Sequence, residues 1–416
     1  MIDQLLKRLE ERKEEMIEIR RYLHQHPEIS FKEEKTAQYI ADFYEGKDVQ
    51  IARNVGNGYG IVVTITGDKP GKTIALRADF DALPITEETD VPFKSLNEGV
   101  MHACGHDGHT AYLMILADCF IELKSSISGT IKIIHQHAEE TPPGGAKSIV
   151  DSGILDDVEH IFGIHLFPTE PTGTVGYRSG YTMAGRTYFK LAIQGVGGHG
   201  SSPHMANDAI VAGAHFVTAV QTIISRRLNP FDMGVVTIGS FDGKGSFNVI
   251  KDRIELEGDV RYMTDDTQQL IEKEIHRIIK GLEVEFGVEC ELTYEADYPP
   301  LYNDPDITDF VKSSMENMND PDIQRVIEFP KFSGSEDFAY YTQKIPGSFF
   351  FIGCKPKDVE QAYFNHHPKF DIDEDALLVA AKSVGQVVFN YFETYILRKH
   401  AHQQAFVKLS NDEIKF

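Results

Sequence analysis

The stretch His102-Ala103-Cys104-Gly105-His106-Asp107-Gly108-His109 decides how the rest of the chain is read. Every residue in it except Ala103 is a glycine or can carry a proton or a metal, and an apolar helical run over residues 111–123 follows at once. A thiol, imidazoles and a carboxylate packed so tightly at a helix start make poor core material. A helix N-terminus also favours the thiolate, the form that binds metal. Strand-like segments lie on either side. Residues 73–77 run into Ala78-Asp79-Phe80-Asp81-Ala82-Leu83-Pro84, and residues 129–137 end in Ala138-Glu139-Glu140. A third, over 160–166, holds His165. Strands alternating with helices predict an α/β fold with a mainly parallel sheet. In such sheets the site forms beyond the carboxyl ends of the strands. Asp79, Asp81, Glu139, Glu140, His165 and the Cys104–His109 cluster all fall on that rim.

Further out, the pattern changes near residue 181. A strand over 186–194, a helix over 208–228, strands over 234–241 and 253–262, a helix over 266–286 and a strand over 289–296 give βαββαβ, the ferredoxin-like order. The later segments, a buried strand over 347–353 and a long helix over 373–395, resume the first pattern. The expected organisation is therefore a discontinuous metal-binding catalytic domain, 1–180 and 295–416, interrupted by an inserted domain, 181–294. Residues 3–46 read as helices, with Ser30-Phe31-Lys32-Glu33 as a capping box opening the second. The tail from about residue 398 has little apolar periodicity.

With 416 residues, about two domains are expected. Acidic residues outnumber basic ones 64 to 41, a net charge of −23. That argues against nucleic acid or an anionic membrane as a partner. The charged N-terminus lacks the apolar core of a signal peptide, and no apolar run is long enough to span a membrane. Four scattered cysteines suggest reduced thiols and a cytoplasmic setting.

Thiolate, imidazole and carboxylate together suit borderline divalent metals: zinc, manganese, cobalt or nickel. Cys104, His106, the Glu139-Glu140 pair, His165 and a histidine of the Asn365-His366-His367-Pro368 loop exceed what one tetrahedral ion needs. Two ions roughly 3.5–4 Å apart fit better. Adjacent side chains on an extended segment point apart. One glutamate can therefore bind metal while its neighbour takes the proton of the attacking water. Spacing does not say which does which, nor does it choose between His366 and His367. The glycine-rich run Gly195 to Gly200 lacks the spacing of a phosphate loop and reads as a turn presenting His199. Arg261 can clamp a carboxylate.

Taken together, Leu76 to Pro84, His102 to Asp107, His137 to Glu140, Gly163-Ile164-His165 and His366-His367-Pro368 resemble the dinuclear metallopeptidases of family M20. The closer likeness is to their amidohydrolase branch of hippurate hydrolases, indole-acetyl-amino-acid hydrolases and N-acyl-diaminopimelate deacetylases. The resemblance spans about residues 15–395. It implies Cys104, His106, Glu140, His165 and His366 as metal ligands, Glu139 as general acid/base and Asp81 as an orienting group. It implies His199, Asn248 and Arg261 as substrate-binding residues on a lid that is also a dimerisation surface. The wider clan has a histidine where Asp79 stands, so no role for Asp79 follows. The implied cofactor is a pair of divalent ions, manganese foremost, with zinc, cobalt or nickel as alternatives. The implied reaction is hydrolysis of an N-acyl amino acid, or else of a dipeptide or short peptide. The implied assembly is a homodimer or higher homo-oligomer. A non-catalytic metal- or redox-responsive protein built on Cys104 is the contrasting expectation. An intact Glu139 beside the ligand set weighs against it, because a sensor needs no general base.

Overall fold

The computed structural model describes residues 2–357 and 359–412, with side chains as far as residue 393. The chain forms two compact units. One comprises Met1–Gly180, Asn303–Phe329 and Tyr340–Phe416, the other Tyr181–Tyr302 and Pro330–Ala339.

The first unit is built on an eight-stranded sheet. Its strands are β1 (Gln50–Val55), β2 (Gly60–Thr66), β3 (Lys69–Asp79), β4 (Ser128–Gln136), β5 (His160–Pro171), β6 (Thr174–Tyr177), β7 (Arg325–Glu328) and β8 (Gly347–Lys355). The spatial order is β1-β2-β4-β3-β5-β8-β6-β7. The central β4, β3, β5 and β8 run parallel, and β1 and β2 pair antiparallel at one side. These central strands are apolar on both faces, as a sheet covered by helices requires. The parallel register sets the site. Asp79 pairs with Gln136, Arg77 with Gly163, and His165 with Phe351. The last residues of β3 and β4 and the His165 level of β5 and β8 therefore line one edge of the sheet.

Helices α1 (Ile2–Glu11), α2 (Lys13–Gln25), α3 (Glu34–Tyr44), α4 (His106–Glu122), α5 (Gly145–Asp151), α6 (Pro305–Glu316) and α7 (Asp375–Asp412) surround this sheet. Helix α4 is buried almost all round, from His106 through Ala117. Such a helix belongs to the middle of a core, not to its rim. Its N-cap is Gly105 at φ +91, a left-handed conformation that a side chain would oppose. The predicted helix over 373–395 runs on to Asp412, so the expectation of a poorly patterned tail meets helical backbone there. Residues 413–416 of that tail lie outside the described residues.

The capping box does not form. Helix α3 starts at Glu34, and the N-cap residue Glu33 makes no side-chain cap. Ser30 instead donates to Asp81 Oδ2, and Glu33 Oε1 accepts from Ala138 N. Buried partners from the sheet edge outcompete the local helix end.

The second unit has a four-stranded antiparallel sheet in the order 234–242, 253–262, 185–194, 289–296. With helices Ala209–Thr222 and Asp265–Phe286 this is the ferredoxin-like βαββαβ order. Phe189, Leu191, Phe216, Val220, Leu256 and Ile275 are among its core. The unit runs past the predicted residue 294 to Tyr302 and takes in 330–339, because Ala184 N–H donates to the carbonyls of Phe332 and Gly334. Among the described residues, Ala209–Arg227 is the one segment long and apolar enough to cross a membrane. Here it carries buried Ala212, Phe216 and Val220 into the unit's core.

Candidate metal centre and active site

Six predicted site residues come together in the first unit. Donor atoms of Cys104, His106 and His165 lie within 4.8 Å of one another, and so do those of Cys104, Glu140 and His366. Cys104 belongs to both sets. His106, Glu139 and Glu140 form a third such group.

His106 opens helix α4. Its Nδ1 lies 3.0 Å from the Asp81 carbonyl and 3.1 Å from Asp81 Oδ1. Nδ1 therefore carries a proton, and Nε2 is the nitrogen turned inward. Around Nε2 stand Asp79 Oδ2 at 3.7 Å, Glu140 Oε1 at 3.8 Å and Glu139 Oε2 at 4.0 Å. Nε2 is buried without a hydrogen-bond partner. Burial alone would lower the His106 pKa, but the charge of Asp79, the hydrogen bond and charge of Asp81 and the charge of Glu140 raise it to about 10. A nitrogen among so many carboxylate oxygens calls for a cation.

Asp81 is fully engaged. Beside His106 it accepts from Ser30 Oγ at 2.7 Å and from the Glu140 N–H at 3.0 Å. Burial pushes its pKa up, but these partners win and hold it below the ordinary value. Asp81 thus orients His106, and its lone pairs are not available for proton transfer. Asp79 lies one layer behind. Arg77 Nη1 donates to it at 2.6 Å, and His109 Nδ1 at 2.6 Å, while His109 Nε2 accepts from Leu166 N at 2.9 Å. His109 so links the end of β3 to the end of β5.

His165 donates from Nδ1 to its neighbour's carbonyl, Leu166 O, at 2.7 Å and places Nε2 3.4 Å from Cys104 Sγ. On the last loop, His366 sits at φ +69, with its N–H donating to Ala103 O at 2.7 Å. Its Nε2 lies 3.1 Å from Glu140 Oε1. His367 turns away: its Nδ1 accepts from Lys369 N, and its ring stacks on Tyr363. Between these two histidines, it is the tertiary placement that distinguishes His366.

One expectation needs correcting. A helix start was expected to favour the Cys104 thiolate. Burial, then Glu140, Glu139 and Asp79, push the thiol pKa well up. Burial and the carboxylates together oppose the thiolate that the helix end favours, and a bound cation would favour it again.

The donor set fits two divalent ions. It has a thiol, imidazole nitrogens and carboxylates in two overlapping groups, with the unpartnered His106 Nε2 at their junction.

The predicted substrate-binding residues belong to the second unit. His199 forms a two-residue strand pairing with Val249–Ile250. Its ring is exposed, with Nδ1 2.8 Å from Ser201 Oγ. The Asn248 carbonyl accepts from Gly200 N at 2.8 Å. Arg261 is not an open clamp: Nε donates to Asp259 Oδ2 at 2.7 Å and Nη1 to Ser335 Oγ at 2.8 Å.

Residue patterns missed several supports. Asn365 donates from Nδ2 to the Cys104 carbonyl at 3.2 Å, tying the His366 loop to the cysteine. Its only signal was its place beside His366. Ser30 and Glu33 gave a signal that pointed elsewhere, to a helix cap.

Residues 75–390 match peptidase family M20/M25/M40. The amidohydrolase YhaA of Bacillus subtilis (strain 168) is 46% identical over 380 residues, 91% of this chain and 95% of that protein. The N-acetyl-L-cysteine deacetylase of the same organism is 37% identical over 367 residues, covering 88% and 86%. The crystal structure of the YXEP protein of B. subtilis, described as a dinuclear metal-binding peptidase, superposes with a TM-score of 0.79. It is 32% identical, covering 92% of this chain and 99% of that one.

Proposed function

This chain belongs to peptidase family M20/M25/M40 and is an amide-bond hydrolase acting with two divalent metal ions, and from that premise we propose that it is a deacylase of N-acyl amino acids. Relatives named for that reaction support the substrate class. The observation that carries the reading is Cys104 shared between two donor groups, with Glu139 beside them. Cys104, His106, Glu140, His165 and His366 are our assigned ligands. Manganese is our assigned metal on the strength of the family resemblance; the mixed donor set also admits zinc, cobalt or nickel.

When bound, the ions supply Lewis acidity, which acidifies the attacking water and polarises the amide carbonyl. Asp81 keeps His106 in the Nδ1–H tautomer, so that Nε2 stays a donor to metal. Glu139 takes the proton of the attacking water and hands it to the departing amine. We assign His199 to the developing oxyanion, with Asn248 and, once released from Asp259 and Ser335, Arg261 binding the substrate's polar end.

We further place the enzyme in the cytoplasm, where its four free cysteines stay reduced. We propose that it is a homodimer through the second unit. There, helix Ala209–Thr222 leaves Ile210 and Val211 exposed, and the edge strand Gly234–Asp242 leaves Val235 and Phe241 exposed.

The test is hydrolysis of N-acetyl, N-benzoyl and dipeptide substrates by metal-stripped protein re-supplied with Mn²⁺, Zn²⁺, Co²⁺ or Ni²⁺. Release of amino acid from the N-acyl substrates, restored best by Mn²⁺, is expected. Dipeptide cleavage without deacylation overturns the substrate class. Two bound ions with no turnover favour the metal-responsive reading.

A further inference from the structure

Glu33 lies far from the metal ligands in sequence, at the start of helix α3, and is fully buried. Its Oε1 accepts from the backbone N–H of Ala138 at 2.8 Å. Ala138 is a left-handed residue, at φ +51, and it immediately precedes Glu139 and Glu140. A residue with a Cβ rarely adopts that conformation unless its surroundings hold it there. The turn is held from both ends, because Gly145 N donates to the Ala138 carbonyl at 3.0 Å. The chain leaving β4 reaches the two glutamates through this residue. The same short segment acts on the other side of the site. Ser30 Oγ donates to Asp81 Oδ2, which also accepts from the Glu140 N–H. Within the segment, Phe31 sits at φ +63 with its ring edge-on to His137.

We propose that Glu33 is a positioning residue. By accepting from Ala138 N–H it holds the left-handed turn that aims Glu140 at the metal-binding donors and Glu139 at the attacking water. The proposal rests on the roles assigned to those two glutamates in the hydrolase reading. What Glu33 supplies is an acceptor oxygen at a fixed place, and glutamine supplies the same oxygen.

The experiment compares the full-length wild type with Glu33→Ala and Glu33→Gln, each checked by circular dichroism for fold. Two readouts are taken: steady-state kinetics with an N-acyl amino acid, and titration of the metal-stripped proteins with Co²⁺, followed by the visible absorption of the bound ion. For Glu33→Ala we expect kcat at least tenfold down with KM within about twofold, and the second Co²⁺ bound at least tenfold more weakly. Glu33→Gln should stay within about threefold of wild type in both. The proposal is overturned if Glu33→Ala matches wild type, or if Glu33→Gln falls as far as Glu33→Ala. Should Glu33→Ala fail to fold, Glu33→Gln decides alone: near-wild-type values support the acceptor role, and a tenfold loss overturns it. Should the wild type hydrolyse no substrate, the hydrolase reading fails by itself. The Co²⁺ titration then still judges Glu33, and equal binding by wild type and Glu33→Ala overturns its role.

Discussion

His106 divides its two nitrogens between opposite tasks. Nδ1 is spent on Asp81, and Nε2 is left bare among carboxylates. Glu139, whose Oε2 lies 4.0 Å from that Nε2, is the residue to which we assign proton transfer. Replacing it by Gln keeps the shape and removes the base. We expect kcat to fall roughly 100- to 10,000-fold, with two metals per chain retained on elemental analysis. Retained turnover would remove Glu139 from the mechanism. A second prediction concerns His135, buried in β4, whose Nε2 lies 2.9 Å from the Tyr44 hydroxyl. Burial pushes its pKa from 6.5 down to about 3. The unfolded chain therefore takes up a proton below about pH 6.5, while the folded chain does not. The contribution of neutral His135 is fully present above that pH and is lost as pH falls towards 3. The stability gap between wild type and His135→Gln should shrink on acidification by up to about 1.4 kcal/mol per pH unit. Urea titrations at several pH values below 6.5 measure it, and a pH-independent gap contradicts the buried neutral imidazole.

At the scale of elements, the site depends on where helix α4 begins. Asp107, in its first turn, accepts from Arg20 Nε of α2 at 3.0 Å and lies 2.8 Å from His24 Nδ1. Arg20 continues to Glu374 at 2.9 Å and Asp371 at 3.2 Å. Burial works against the Asp107 charge, but Arg20 and His24 hold its pKa far below the ordinary value. Arg20→Leu leaves the buried Asp107 charge with His24 alone against it, and breaking one side of such a buried ion-pair network costs about 3–5 kcal/mol. Denaturant unfolding should show a loss of that order. A change under 1 kcal/mol means that Arg20 does not hold the helix start.

At the scale of the whole molecule, two predictions concern what binds the chain. Removing the metals leaves the carboxylates around Cys104 and His106 without their counter-charge, so the stripped protein should melt lower. Re-supplied ion should raise the melting temperature with rising concentration, by mass action. A metal-independent melt contradicts the dinuclear assignment. If the second unit forms a dimer through its exposed apolar face, Val211→Glu puts a charge into that contact. Sedimentation should then show a dimer for wild type and a monomer for the variant, and a monomeric wild type removes the proposed assembly.

Much of this was legible in the residues themselves. Alternating strands and helices, and the switch near residue 181 to βαββαβ, specify the α/β fold with its ferredoxin-like insert. They do so because apolar periodicity is a local property of the chain. The cluster around Cys104 and the Glu139-Glu140 pair announced metal chemistry, because few other uses need those side chains so close together. What only the tertiary structure decided are matters of long-range placement. His366 is separated from His367 by where a loop lands against Ala103. Asp79 is tied to Arg77 and His109, and Asp81 is filled by Ser30, His106 and Glu140 N–H. Ser30 and Glu33, which locally resemble a helix cap, serve the sheet edge instead. A buried donor from a distant segment is costly to leave unpaired, and that cost outweighs a cap on a helix end that water can also satisfy.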